Sequence, residues 1–298
     1  MVSVPEEKIK AIGAILKDPS KPLKARFRAL FSLRNIVTPL SISCISEAFS
    51  DTSALLKHEL AYCLGQMQDE RAISVLIKVL EDTEEEAIVR HEAGEALGVI
   101  GSQMAIDTLT KFTGDKIQEV AETCQLALDR LKWVEGKSIT DENKSNTLFQ
   151  SVDPAPASDE TDLSKLSQIL FDESLSLFER YKAMFALRNI GTDESALILT
   201  KGLTTKSALF SHEVAFILGQ LQNPVTVPAL IDCLKDKTRN EMVRHECAEA
   251  LGAIGTDMCY NILKNYVTDE NRVVRESCEI ALDMCDYENS NEFQYALT

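Results

Sequence analysis

The segment VRHEAGEALGVIG at residues 89–101 recurs as VRHECAEALGAIG at residues 243–255. The shift between the two copies is 243 − 89 = 154 residues, and it holds without gaps over most of the 298-residue chain. The same shift places HELAYCLGQ at 58–66 on HEVAFILGQ at 212–220. The sequence is therefore composed of two related halves.

A shorter repeat lies inside each half, since 91 − 58 and 245 − 212 both equal 33 residues between His-Glu pairs. Within each repeat, apolar residues return at intervals of three and four, as in ISVLIKVL at 73–80, which is typical of an amphipathic helix. Breakers such as Gly101 and Gly255 separate consecutive helices. The pattern predicts an all-α protein, an α-solenoid of about eight helical-hairpin repeats in two pseudo-symmetric halves.

The composition along the chain predicts four segments. An N-terminal half covers residues 1–136 and a C-terminal half covers residues 163–285. Between them, residues 137–162 are rich in Ser, Asp, Glu, Asn, Thr and Pro, so a flexible acidic linker is expected there. Residues 286–298 are expected to form a frayed tail.

Composition also limits the classes of function. The chain is 45% hydrophobic and 26% charged, and its formal net charge is −16, which disfavours nucleic acid and favours a basic protein or cationic substrate. No apolar run is long enough to span a membrane, and no signal peptide is evident. The eight cysteines form no C-x-x-C motif, so a reducing cytoplasmic location without disulfides is expected. A monomer is also expected.

All four histidines of the chain are followed by glutamate. Each pair is expected near the start of the second helix of its repeat, so the two histidines of one half should be neighbours. Two imidazoles and a carboxylate suit iron, manganese or zinc, and this set with open coordination positions serves non-haem Fe(II) enzymes. Because the set occurs twice, a dinuclear site with one metal per half is expected, although spacing alone leaves open which glutamates ligate. The pairs are His58-Glu59, His91-Glu92, His212-Glu213 and His245-Glu246.

Two further features of these helices each have two interpretations. Glu95 and Glu249 follow a histidine by four residues, and either orient its imidazole or lie on the helix surface. The residue three positions after each histidine is small, which either leaves room for a metal or allows close helix packing. These small residues are Ala61, Gly94, Ala215 and Ala248.

Four His-Glu pairs in two duplicated halves of HEAT-type repeats, joined by an acidic linker, resemble the deoxyhypusine hydroxylase family over essentially the whole chain. The resemblance implies a non-haem di-iron monooxygenase with two Fe(2+) per chain and O2 as co-substrate. Its substrate would be the deoxyhypusine side chain on the basic precursor of eukaryotic translation initiation factor 5A, and its product hypusine. By the family pattern, Glu59 and Glu213 would bind the substrate amines. The implied iron ligands are His58, His91 and Glu92 in one half and His212, His245 and Glu246 in the other.

Three other functions stay open on the sequence alone. Most HEAT arrays are non-catalytic adaptors or scaffolds, in which the His-Glu pairs would be inherited repeat signatures. A chromophore-attaching lyase of the helical-repeat type would bind a tetrapyrrole without metal. A dinuclear zinc hydrolase would hold zinc in the same cluster.

Overall fold

The computed structural model describes residues 4–136 and 149–289. In these two ranges the regular structure is entirely helical, and the contacts divide the residues into two compact units, one within each range. Each unit contains eight of the sixteen α-helices. The prediction of an all-α protein built from about eight helical hairpins is therefore confirmed.

In the first unit, consecutive helices pair into four hairpins, and the second helices of the hairpins pack against one another in series. These second helices, α2, α4, α6 and α8, form one layer, and the first helices form the other. The bounds are α1 Glu6–Lys17, α2 Leu23–Ile36, α3 Pro39–Ser46, α4 Ala54–Gln66, α5 Ile73–Glu81, α6 Ala87–Ile100, α7 Ile106–Phe112 and α8 Gln118–Glu135.

The second unit repeats this arrangement helix by helix, with α10, α12, α14 and α16 packed in series. Because each hairpin buries its apolar face against its neighbours, both units have the construction of a solenoid. The bounds are α9 Leu163–Phe171, α10 Leu177–Ile190, α11 Asp193–Thr200, α12 Ala208–Leu221, α13 Val227–Lys235, α14 Glu241–Ile254, α15 Asp257–Leu263 and α16 Arg272–Glu288.

The helices end where the sequence predicts breaks. Gly101 and Gly255 follow α6 and α14 with φ values of 80° and 67°, a left-handed conformation that glycine adopts without a steric penalty. Their backbone N–H groups donate to the carbonyl oxygens of Leu97 and Leu251, which closes the last helical turn. The next hairpin can therefore begin at once.

Neighbouring second helices approach closely through glycines. A Cβ atom placed on Gly98 of α6 would lie 2.6 Å from the Cβ atom of Ala127 of α8. One placed on Gly252 of α14 would lie 2.7 Å from the Cα atom of Ala281 of α16. Gly65 and Gly219 meet the next helix in the same way. The Leu-Gly pairs of the repeats thus set the spacing of the inner layer.

Residues 149–162, the second part of the segment expected to be a flexible linker, contact the second unit. Arg188 of α10 is buried and donates two hydrogen bonds to the carboxylate of Asp153, over 2.9 and 2.6 Å. The guanidinium also lies 4.4 Å from the ring centroid of Phe149. These contacts hold the segment without regular secondary structure. The rest of the expected linker, 137–148, lies outside the described residues, so the linker bounds stay a prediction.

The other end of the chain extends the helical structure slightly. Helix α16 continues to Glu288, three residues past the expected boundary at 285, and most of the expected tail, 290–298, lies outside the described residues. All eight cysteines are free and buried, as expected for thiols acting as small apolar side chains. Among the described residues, no helix is both long and apolar enough to cross a membrane.

Substitution of Gly98 by alanine should destabilise the protein. The alanine gains about 1 kcal/mol of helix propensity, but its methyl group overlaps Ala127, and overpacking of this kind costs about 1–3 kcal/mol or more. Because the obstructing atoms belong partly to the backbone of α8, they cannot rotate away. Urea unfolding should show a lower free energy of unfolding for Gly98→Ala. Gly114→Ala is the control, since nothing lies within 4 Å of its added Cβ. Equal stability of the two variants would contradict this account of the inner layer.

Candidate functional site

Each of the four histidines is the fifth residue of its helix, on α4, α6, α12 and α14. The start of the helix is fixed by the side chain before it in three of the four cases. Ser53 accepts a hydrogen bond from the Leu56 N–H over 3.0 Å, and Ser207 caps α12 in the same way. Asn240 caps α14. The predicted position of the His-Glu pairs, early in the second helix of each hairpin, is therefore confirmed.

The residue before each histidine is a buried anchor. Arg90 donates to the carbonyl oxygen of Leu80 over 3.1 Å and to Asp115 over 2.6 Å, so it ties α6 to α5 of its own hairpin and to the next hairpin. Arg244 does the same for α14, through Leu234 at 3.0 Å and Asp269 at 2.6 Å. These bonds restrict rotation of the helices that carry the histidines.

The anchors on the other two helices use different chemistry. Lys57 on α4 bonds to Glu85 over 2.6 Å, in an ion pair that is largely shielded from solvent. Ser211 on α12 donates to the carbonyl oxygen of Gly202 over 2.9 Å. The two halves therefore hold equivalent helices by an ion pair in one case and a hydroxyl group in the other.

The first unit brings together His58, His91 and Glu92. The imidazole ring centroids of the two histidines are 5.5 Å apart, and His58 Nε2 lies 3.3 Å from a carboxylate oxygen of Glu92. One candidate ligand atom from each of the three residues lies within 4.8 Å of the others. All three side chains are buried. This is the spatial relation that a shared metal ion requires.

The second unit has the corresponding cluster of His212, His245 and Glu246. Its two ring centroids are 5.3 Å apart. A carboxylate oxygen of Glu246 lies 3.4 Å from His212 Nε2 and 4.0 Å from His245 Nε2. These three side chains are also buried, so each unit contains one cluster of two imidazoles and one carboxylate.

The structure separates the two glutamates next to His58 by the ring nitrogen that each one faces. Glu59 lies 3.3 Å from Nδ1, whereas Glu92 lies 3.3 Å from Nε2. In the second unit, Glu246 likewise faces Nε2 atoms. A metal bound on the Nε2 side would therefore have Glu92 within reach in the first unit and Glu246 within reach in the second. The sequence spacing alone leaves open which glutamate faces that side. Glu213 is buried like Glu59.

The carboxylates control the protonation of His58. Burial alone would lower the pKa of this imidazole, but the hydrogen bonds and negative charges of Glu59 and Glu92 outweigh it and hold the pKa well above 6.5. In the metal-free protein, the imidazolium thus partly neutralises two buried carboxylates. A divalent cation bound at Nε2 would replace one of these protons in the same role.

The structure also shows what the nearby residues contact. Glu249 lies 3.5 Å from His245 Nδ1, so it contacts the imidazole rather than lying only at the surface. A Cβ on Gly94 would lie 3.3 Å from the methyl group of Thr123 on α8, so close helix packing accounts for the missing side chain there. Ala61, Ala215 and Ala248 are fully buried.

The sequence pattern does not predict one further contact of the site. The hydroxyl group of Ser277 on α16 lies 3.4 Å from His245 Nδ1 and donates to Glu249 over 3.0 Å. The 154-residue shift offered a signal, because it relates Ser277 to Thr123 and so places a hydroxyl group at this position in both halves. The contact itself spans 32 residues and depends on packing between two helices.

Comparison with known proteins places the chain among two sets of relatives. The family model for HEAT repeats matches residues 9–97 and 197–283, and that for the PBS lyase HEAT-like repeat matches residues 89–115 and 179–205. Proteins named deoxyhypusine hydroxylase from Drosophila melanogaster and Homo sapiens are each 55% identical to it, and each alignment covers 98% of this chain and 96% of the relative. The solved structure of human deoxyhypusine hydroxylase in complex with glycerol aligns with a TM-score of 0.91 over 95% of this chain and 97% of that chain, at 55% identity.

The raised pKa of His58 predicts how the stability of the metal-free protein depends on pH. A group whose pKa is raised on folding contributes stability that is complete below its unfolded pKa, about 6.5. That contribution is lost as the pH rises through the higher folded value. As the pH rises above about 7, the free energy of unfolding of the metal-free wild type should therefore fall relative to that of His58→Gln. Urea unfolding of both proteins at several pH values measures this difference. Parallel curves for the two proteins would contradict the protonated state assigned to His58.

Proposed function

The chain belongs to the deoxyhypusine hydroxylase family of HEAT-repeat proteins, and we propose that it hydroxylates the deoxyhypusine side chain of the eukaryotic translation initiation factor 5A precursor, using two Fe(2+) ions and O2. The observation that carries the proposal is the pair of buried clusters, each with two imidazoles and one carboxylate, at equivalent places in the two units. Family membership supports the hydroxylase activity, and the clusters support the metal.

The donor set fits iron. Imidazole and carboxylate ligands suit Fe(II), and two histidines with one carboxylate leave coordination positions open for dioxygen. Bound iron supplies the activation of O2 that hydroxylation of an aliphatic C–H bond requires. We assign one iron to His58, His91 and Glu92, and the other to His212, His245 and Glu246.

The chain's own residues hold this donor set ready. Helix contacts at Gly65 and Gly219 bring each first histidine beside the second, and buried anchors such as Arg90 and Arg244 fix the helices. Burial of all six ligand side chains excludes bulk water and strengthens electrostatic interactions in the site. Preorganisation of this kind allows a metal to bind without large rearrangement.

Glu59 and Glu213 are proposed to bind the substrate amines. Glu59 lies on the Nδ1 side of His58, whereas Glu92 faces Nε2. A metal bound at Nε2 would therefore leave the Glu59 carboxylate available for a substrate amine. The deoxyhypusine side chain carries two cationic amines, and a charge-assisted hydrogen bond to a buried carboxylate would hold one of them. The net charge of −16 would attract the basic protein substrate over a longer range.

We further propose that the protein is a cytoplasmic monomer that uses neither nucleic acid nor a membrane. Eight free, buried cysteines are compatible with a reducing compartment. Sedimentation of the purified full-length chain tests the oligomeric state, and imaging of a tagged chain in cells tests the compartment.

Metal analysis tests the ligand assignment. Purified protein reconstituted anaerobically with Fe(II) should contain about two iron atoms per chain, and His58→Ala, His245→Ala or Glu92→Gln should each lower this to about one or fewer. Glu84→Gln is the matched control for Glu92→Gln, since Glu84 is an exposed glutamate outside the assigned ligand set. Full iron content in both histidine variants would refute the assignment.

Metal and activity together separate the rival functions. An adaptor would bind no iron and would leave the deoxyhypusine-bearing precursor unchanged, whereas a zinc hydrolase would retain zinc in preference to iron. Mössbauer spectra of the reconstituted protein distinguish a spin-coupled iron pair from two independent ions. Uncoupled iron would argue against one dinuclear centre while leaving iron binding itself intact.

Glu59→Gln should keep its iron but bind substrate more weakly. The substitution removes the negative charge while preserving the shape of the side chain, and loss of one charge-assisted hydrogen bond costs about 1.5–3 kcal/mol, or roughly tenfold to a hundredfold in affinity. Calorimetric titration of the anaerobic iron-loaded variant with the deoxyhypusine-bearing precursor measures this loss without turnover. Glu84→Gln should bind as the wild type does. Loss of iron in Glu59→Gln would instead make Glu59 a metal ligand.

A further inference from the structure

We infer that Ser277 and Glu249 are positioning residues that hold His245 in the tautomer with its proton on Nδ1, so that Nε2 presents a lone pair to a metal. The inference rests on the proposed metal site, and it adds two residues that lie outside the ligand set. It also distinguishes the two halves of the protein, because the equivalent hydroxyl group of the first half, that of Thr123, makes no hydrogen bond among the described residues.

Two side chains, Ser277 and Glu249, meet at Nδ1 of His245. The imidazole is fully buried, Ser277 is fully buried, and the side chain of Glu249 is 15% exposed. Glu249 Oε1 lies 3.5 Å from Nδ1, and Ser277 Oγ lies 3.4 Å from Nδ1 and 3.0 Å from Glu249 Oε1. The three atoms therefore form a nearly equilateral triangle.

The positions of the protons follow from the chemistry of these groups. A carboxylate only accepts hydrogen bonds, and a serine hydroxyl has one proton to donate. Because Ser277 donates that proton to Glu249, it offers only a lone pair to His245. Both groups that face Nδ1 are then acceptors, so the neutral imidazole is stabilised with its proton on Nδ1. Nε2 is left as the acceptor on the side of Glu246.

The first half also has a hydroxyl group at the equivalent position, but its contacts differ. Thr123 is related to Ser277 by the shift of 154 residues, and it is buried, yet its hydroxyl oxygen has no hydrogen-bond partner among the described residues. Its methyl group is the atom that would lie 3.3 Å from a Cβ on Gly94. In the second half, position 248 is alanine and position 277 is serine, so the methyl group is on the other helix. The extra methyl group thus belongs to Thr123 of α8 in the first half and to Ala248 of α14 in the second. This difference accompanies the difference in hydrogen bonding.

This asymmetry predicts unequal roles for the two hydroxyl groups. Mutation of a residue that orients a ligating imidazole typically lowers metal affinity about tenfold to a hundredfold. Ser277→Ala should weaken binding at the second-half site by that factor. Thr123→Val has nearly the same shape as threonine and removes a hydroxyl group without a partner, so it should leave metal affinity within about twofold of the wild type. Chelator competition on the Fe(II)-loaded full-length protein measures both.

A second measurement reads the tautomer directly in the metal-free protein. Long-range proton–nitrogen NMR correlations of histidine-labelled full-length chain, recorded at alkaline pH, report which ring nitrogen carries the proton, and single His→Gln variants assign the signals. The wild type should show His245 protonated on Nδ1. In Glu249→Ala, the Ser277 hydroxyl is free to donate to Nδ1, so the population should shift towards the Nε2–H tautomer. Thermal unfolding of each variant shows that it is folded.

The outcomes are distinct. A wild-type His245 protonated on Nε2 would overturn the inference, as would Ser277→Ala and Glu249→Ala variants that keep both the tautomer and the metal affinity of the wild type. An equal loss in Thr123→Val would overturn the asymmetry. Failure of the wild type to bind iron would refute the proposed function, but the tautomer measurement would still decide the positioning role.

Discussion

The close approach of consecutive inner helices is the constraint on which the site depends. At Gly65, Gly98, Gly219 and Gly252 the second helix of one hairpin contacts an alanine of the next, with no room for a side chain between them. Because every histidine occupies the fifth position of such a helix, the helix spacing sets the distance between imidazoles. The separations of 5.5 and 5.3 Å in the two units are a direct result. A solenoid with larger residues at the glycine positions would hold the same histidines too far apart to share a ligand.

The site concentrates ionisable groups in an interior that would otherwise be apolar. A buried charge is costly unless another group compensates it, and here carboxylates and imidazoles compensate each other. His58 lies between Glu59 and Glu92, while His245 lies between Glu246 and Glu249. The clusters therefore stay in the interior as networks of paired groups, and a cation bound on their Nε2 side would add to that compensation.

Much of the fold was predictable because its information is local and repeated. The helix periodicity, the glycine breaks and the recurrence of the His-Glu pairs fix the hairpins, and the internal duplication makes each observation count twice. The clustering of the paired histidines was predictable for the same reason. The ring nitrogen of His58 that Glu59 and Glu92 each face was not, because it depends on side-chain rotamers. Nor was the hydrogen bond of Ser277, since side-chain rotamers and contacts over 32 residues determine it.

Departures from the internal symmetry were also beyond sequence analysis. Arg34 and Arg188 occupy equivalent positions, but Arg188 is buried against Asp153, while Arg34 is partly exposed and bonds to the neighbouring Asn35 at 3.3 Å. The segment that contains Asp153 has the composition of a solvated linker, and its contacts with the second unit, such as that of Asp153 with Arg188, distinguish it. Composition describes the average behaviour of such a segment and does not identify a single buried partner.

The buried thiols have a consequence for how the interior reacts with oxidants. Burial raises the pKa of Cys63 well above its ordinary value and raises the pKa of both Cys124 and Cys278 to about 12. These three residues lie on helices that carry or support the clusters. Since the thiolate is the form that attacks peroxide, a thiol that stays protonated at neutral pH is oxidised slowly. The apolar packing that builds the repeats thereby also protects these thiols from oxidation.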